Sequence, residues 1–184
     1  LSASRLLPNY HFVGLDQYVA LFASERWWVA LRNLGVFGSL FVAGAMVLGL
    51  LMAILLDQKI RAEGVLRAIY LYPMALSFIV TGTAWKWILN PGLGLEHVMH
   101  EWGFAGFTFD WLVNPERAIY TVVLAGVWQS AGCVMALFLA GLRGVDDALI
   151  KAAQIDGASL PRIYWYVIIP SLRPVFFSSL MVLS

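Results

Sequence analysis

Charge is what this sequence has least of. Only 12% of its 184 residues are Asp, Glu, Lys or Arg, against about 25% in a soluble domain, while 61% are hydrophobic. A soluble core of this size cannot bury so much apolar surface, so the bilayer is the expected solvent. Cysteine occurs once, at Cys133, which rules out a disulfide framework within the chain and leaves a small apolar filler. There is no glycine-rich loop ending in Gly-Lys-Ser or Gly-Lys-Thr, hence no phosphate cradle for ATP. Neither a Gly-x-Ser-x-Gly elbow nor a His-Glu-x-x-His pair occurs, and an enzyme is not expected. The net charge is +1, with basic residues scattered rather than gathered into a stripe, so no nucleic-acid partner is expected. His97, His100 and Glu101 lie close in sequence, but nothing completes them as a metal site, and an exposed polar helix face accounts for them better.

What the sequence does have is long apolar runs. Residues 33–56 and 118–142 each hold about 24 residues without a charge, and about 20 suffice to cross the hydrocarbon core. Both are read as membrane spans. The absence of ionisable groups inside them argues against a proton relay or voltage sensor. Residues 68–85 form a shorter apolar run containing Pro73, which a membrane bundle tolerates as a kink, and are read as a third span. Residues 174–184 stop in mid-pattern, and Leu1 is not an initiator methionine. The expected fold is therefore an all-α integral membrane bundle, here a fragment with about three complete spans. It divides into an outer segment 1–32, span 33–56, cytoplasmic loop 57–67, span 68–85, outer loop 86–117, span 118–142, cytoplasmic loop 143–173 and the start of a next span at 174–184. The sidedness comes from seven basic residues (Lys59, Arg61, Arg67, Arg143, Lys151, Arg162, Arg173) on one side against five (Arg5, Arg26, Arg32, Lys86, Arg117) on the other, by the positive-inside rule.

Tryptophans 27, 28, 85, 87, 102 and 111 flank the runs, where rings settle at the headgroup level. Small residues recur at helical spacing, Gly35, Ser39 and Ala43 in one run and Gly132, Ala136, Ala140 and Gly144 in another, and such stripes let helices approach closely. Trp128, Gln129 and Ser130, with Trp85 and Asn90, form a candidate substrate path. An indole stacks on a sugar face and amides bond its hydroxyls, although Trp128 also fits a packed core.

Between the last long run and the terminal one lies a polar interlude. Val145, Ala148, Leu149, Ala152 and Ile155 share one face of a short helix, with Asp146, Asp147, Lys151 and Gln154 on the other. Asp147 and Lys151 are spaced as a helical ion pair. Gly157 offers a left-handed stop, and Ser159 can cap a second helix with Pro161 in its first turn. Pro170 and Pro174 are expected to interrupt the chain beyond it.

The stretch KAAQIDGAS, Lys151 to Ser159, with Pro161 and then Ile168-Ile169-Pro170 after it, resembles the EAA loop of the membrane subunits of ATP-binding-cassette importers, which reads E-A-A, three residues, then G. Gly141-Leu142 ahead of it and the spacing to Pro170 are similar to the carbohydrate branch, the permeases of the maltose and glycerol-3-phosphate type. FVGLDQYVALFASERWWVALRNLG, residues 12–35, is similar to the outer segment of those permeases, so the resemblance covers Phe12 to Leu183. It implies a permease subunit moving a sugar or related polyol inward across a bacterial inner membrane. ATP and Mg would be bound by separate ATPase subunits. A second permease subunit, a periplasmic or lipid-anchored solute-binding protein and membrane lipid are the implied partners. It also implies a span before Leu1 and further chain after Ser184. Lys151, Ala152, Ala153, Asp156, Gly157, Ala158 and Ser159 would form the element that couples to the ATPase, with Gly157 as pivot. The family's leading glutamate is Lys151 here, either facing a partner of changed sign or pairing with Asp147. Two other readings stay open: an importer for another solute such as a phosphorylated polyol, and a membrane scaffold that uses the same knob without transport.

Overall fold

In the computed structural model the backbone is described for residues 2–4, 8–12, 14–58, 61–104, 106–109, 111–114 and 117–184, with side chains from residue 14 onward except that of Asp147. Arg5 and Lys59, two of the twelve basic residues that set the sidedness, lie outside the described residues. The chain divides into two compact units, 1–38 and 39–184.

Among the described residues the regular structure is helical, as expected, apart from one short hairpin in the first unit. There β1 (Ser2–Ser4) and β2 (Pro8–Phe12) pair antiparallel, Ser2 opposite Phe12 and Ser4 opposite Pro8. Aromatic residues suit a pleated surface, and proline is tolerated at the first position of a strand. Helix α1 (Asp16–Ala23) ends at Ser24, whose backbone is extended and whose hydroxyl donates to the Leu21 carbonyl at 2.8 Å. The Trp28 indole then donates to the Phe22 carbonyl at 3.0 Å, and Trp27 packs edge-on against Phe22 at 5.7 Å. Both rings of the Trp27-Trp28 pair thus help to fold the α1 turn.

Helix α2 (Glu25–Asp57) contains the whole of 33–56 and begins eight positions earlier than that run. Helix α6 (Ala118–Arg143) contains 118–142. These two are long and apolar enough to cross a membrane by length and composition. In the second unit α2 buries Ala45, Gly49, Ala53 and Leu56, one face at three- and four-residue spacing. Against it stand Val134, Met135, Phe138, Leu139 and Leu142 of α6, all buried in the same cluster. A Cβ on Gly49 would strike the Val134 side chain and the Met135 amide, and one on Gly44 would press on Val127. Ala43 and Ala140 of the expected small-residue stripes are exposed. Gly132 of the second stripe does approach closely, against the Tyr70 backbone, and Gly44, Gly49 and Gly141 add further close approaches outside the stripes.

The run 68–85 is not one helix. Helix α3 (Glu63–Leu71) passes into a 3₁₀ turn at Tyr72–Ala75, and after two extended residues α4 (Phe78–Ile88) sets off at 101°. Proline without an N–H breaks the α-ladder at Pro73, as expected, but the chain turns only at Leu76 and Ser77. Beyond α4 a turn leads to α5 (Leu95–Glu101), which carries His97 and His100.

The expected cytoplasmic loop up to residue 173 is helical for most of its length. After α7 (Asp147–Ile155), α8 (Leu160–Ile163) continues through a π-helical turn, Tyr164–Ile168, into α9 (Ile169–Ser171). The wider turn accommodates Pro170, which has no N–H to give the ladder. The break falls at Leu172, where α10 (Arg173–Leu183) departs at 62°. Leu160 to Leu183 is thus a second bent pair, beginning well before Pro174. Ile163, Ile168 and Leu172 join the core beneath α6, and Phe176 meets Phe138 edge-on at 4.7 Å.

Candidate functional site

The polar interlude folds as a stopped helix and then a restarted one. Asp146 has extended backbone and its carboxylate accepts the Ala148 amide at 2.8 Å, capping α7. At the far end Gly157 adopts φ +77°, its amide donates to the Gln154 carbonyl at 3.0 Å, and the Ala158 amide reaches back to the Ala153 carbonyl at 3.0 Å. This pair of bonds is a Schellman stop, which satisfies the last carbonyls and reverses the chain. Ala153 and Ala158, brought together by it, both pack on the core. Ser159 takes the N-cap position of α8, but its side chain makes no capping bond. The first turn is closed by the backbone, through Ile163 N–H to the Ser159 carbonyl at 3.0 Å.

Two features of this element come from the structure and not from the residue pattern. The apolar face is turned outward: Leu149 is 52% and Ile155 86% exposed, and Ala152 is exposed as well. Ile150 and Ala153, on the side flanked by polar residues, pack on the core instead. A close approach at Gly157 is absent among the described residues, since nothing lies within 4 Å of where a Cβ would stand. The glycine is required there by its dihedral angle alone. Lys151, Asp156 and Ser159 are exposed. The Asp147 side chain, one of the two partners open for Lys151, lies outside the described residues. Asp156, Ala158, Arg162, Ile163 and Tyr166 line a cleft of ≈ 420 Å³ beside the turn.

The element is tied to the bundle at both ends. Arg143, last residue of α6, pairs with Glu63 at the start of α3. Gln58, just past α2, donates to the Tyr164 hydroxyl at 3.4 Å.

Of the path candidates, the structure brings together Trp85 and Trp128, whose rings meet edge-on at 5.8 Å, with Trp128 40% exposed. Gln129 is buried and donates its amide to the Leu76 carbonyl at 2.9 Å, so it serves the break between α3 and α4 and does not join the two indoles. Ser130 is half-buried on α6. Asn90 is occupied in a turn, its side-chain carbonyl accepting the Gly92 amide at 2.9 Å. Nothing in the residue pattern points to Leu76, whose importance depends on the break, or to Thr81, a buried hydroxyl of α4 without a partner among the described residues. No cluster of three metal-ligating side chains exists among the described residues. His97 pairs with Glu101 at 3.5 Å and His100 meets the Phe107 carbonyl at 2.7 Å.

Known transport proteins share both this sequence and this arrangement of helices. The chain is 41% identical over 179 residues to a Pyrococcus horikoshii protein named a probable ABC transporter permease, a match covering 97% of this chain and 61% of that protein. It is 39% identical over 177 residues to a xylose/arabinose import permease protein of Haloferax volcanii, covering 96% and 55%. The chain thus spans little more than half the length of these relatives. The fold superposes with a TM-score of 0.83 on a bacterial ABC transporter involved in the import of the acidic polysaccharide alginate, at 22% identity, covering 94% of this chain and 60% of that one. Residues 45–183 match the family described as binding-protein-dependent transport system inner membrane components, and the chain belongs to that family of transport permeases.

Proposed function

We propose that this chain is a translocation subunit of an ATP-binding-cassette importer that takes up a sugar or related polyol. The observation that carries the reading is the outward apolar face of α7, Leu149, Ala152 and Ile155, held between the Asp146 cap and the Gly157 stop. A short helix that spends its apolar side away from its own core has that side available for another protein. The occupant fitting the family is a separate ATPase subunit, which binds ATP with Mg. Lys151, Ala152, Ala153, Asp156, Gly157, Ala158 and Ser159 would form the coupling element, with Ala153 and Ala158 seating it on the core.

Closure of the ATPase would move α7 as a unit, because Ile150 and Ala153 seat it on the core, the Schellman stop fixes its far end, and the Arg143–Glu63 pair holds the end of α6 ahead of it to α3. A two-state bundle biased in this way alternates its openings. A solute-binding protein would deliver substrate from outside, as the family's description implies, and a second permease subunit would complete the path. The indoles of Trp85 and Trp128 offer a stacking surface suited to a sugar. Sugar as the substrate is supported by the xylose/arabinose permease among the relatives. The relatives named come from archaea, so the location proposed is the cytoplasmic membrane of a prokaryote, bacterial or archaeal.

The test is a photo-crosslinker at Ser159 in the full-length protein in native membranes, with mass spectrometry of the captured species. Capture of a protein with an ATP-binding P-loop is expected. Capture of lipid only, at normal expression, would leave the scaffold reading in front. Uptake into vesicles that needs both ATP and the binding protein separates transport from scaffolding.

A further inference from the structure

We infer that Gln129 is a positioning residue, which together with Gly132 fixes the break between α3 and α4 and thereby holds Trp85 against Trp128. Leu76 and Ser77 are both extended, with ψ of 143° and 142°. Two consecutive extended residues between helices leave the Leu76 carbonyl outside either helical ladder. In a membrane-buried setting such a carbonyl needs a protein donor, since water is not available to bond it. The Gln129 amide supplies one, at 2.9 Å from a side chain only 6% exposed.

The grip has a second point. Gly132, three residues on and so on the same face of α6, lies against the Tyr70 carbonyl and the Leu71 Cα, where a Cβ would overlap backbone. Tyr70 lies before the break and Leu76 is its first extended residue. α6 therefore holds the broken segment at two points, one contact steric and one a hydrogen bond. On α4 itself, Ser77 only caps its own helix, accepting the Ile79 amide at 3.3 Å, and the buried Thr81 hydroxyl bonds nothing among the described residues. The Gln129 bond is thus the polar tether that sets where α4 starts, and Trp85 comes two turns later. Trp128 sits next to Gln129 on α6, so the tether and the ring it serves belong to one helix. The importance of this for substrate rests on the proposed transport function, whereas the positioning itself does not.

The experiment uses the full-length protein in lipid nanodiscs with Cys133→Ala, spin labels at the exposed positions Val65 of α3 and Trp87 of α4, and pulsed electron–electron distance measurement. Gln129→Leu keeps the bulk and removes the donor. The expected result is a shifted or broadened distance distribution at a melting temperature within a few degrees of the parent. Gly132→Ala, which pushes on the other side of the break, is expected to shift the same distribution. An unchanged distribution in both variants would overturn the inference, including when uptake is lost. A shifted distribution in a protein that shows no ATP-driven uptake would uphold the positioning role and count only against the transport function.

Discussion

Arg143 and Glu63, 80 residues apart in sequence, meet with a guanidinium nitrogen 2.5 Å from a carboxylate oxygen. The pair joins the last residue of α6, from which the chain runs straight into α7, to the first residue of α3, which leads into the broken segment. It is half open to solvent, with side chains 46% and 32% exposed, so screening limits its worth to about 0.2–1 kcal/mol. Glu63→Arg is therefore expected to leave the melting temperature nearly unchanged yet lower ATP-driven uptake, because like charges now push α3 from α6. The exchange Glu63→Arg with Arg143→Glu should restore uptake at low salt. Uptake that stays low in the double exchange would show that the residues matter separately and not as a pair.

Gly157 holds its place in the turn by conformation and not by space. Its φ of +77° lies in the left-handed region, and no atom stands within 4 Å of a Cβ built there, so the cost of replacement comes from the backbone alone. That cost is about 1–2 kcal/mol for an ordinary L-residue and less for asparagine, which visits this region readily. Coupled transport should fall in the order Gly, Asn, Ala, Val, while the yield of lipid-embedded subunit stays constant. An Ala variant as active as the Asn variant would show that the turn tolerates strain, and the pivot role would go.

How far these features were legible in the sequence depends on whether they are local. α2 and α6 come from charge-free length, and the Asp146 cap and Gly157 stop come from residue type at a helix end. Pro73 announced a fault in 68–85, but the fault opens at Leu76 and Ser77, where the Gln129 bond from 53 residues away completes it. Such a bond has no signature in local spacing. For α7 the pattern identified which residues share a face but not which face meets the core. Ile150 and Ala153 do, because the core that they join is assembled from distant helices. Pro170 misled for a related reason: a π-helical turn absorbed it, so Leu160 to Ser171 stayed helical where a loop was expected.

On α7, Ile155 is 86% and Leu149 52% exposed, so replacing both by aspartate removes little packing within the chain. Stability should change by less than about 0.5 kcal/mol per site, the usual range for surface substitutions. If the proposed ATPase subunit docks there, its binding should instead weaken at least about tenfold, as when apolar anchors are lost from the centre of an interface. A pull-down in detergent, with the thermal unfolding of the permease as control, measures both. Equal ATPase recovery from the parent and the double variant would mean the face is covered by something else.

Phe138 anchors the core on which this turn rests. It is fully buried on α6, edge-on to Phe176 of α10 at 4.7 Å, so it joins the helix preceding the α7 turn to the one after the second bend. Phe138→Ala should cost about 3–5 kcal/mol, the range for a buried phenylalanine whose cavity cannot collapse. Phe138→Leu should cost less, because it retains much of the volume and loses mainly the edge-to-face contact, about 0.5–1.5 kcal/mol. The rings lie on α6, which precedes α7, and on α10, which follows the second bend, so the loss should appear as faster hydrogen exchange in 147–183 before it appears in α2. Uniform acceleration across the bundle would mean that α6 and α10 unfold together with α2 as one unit, and that the turn has no stability separable from the spans.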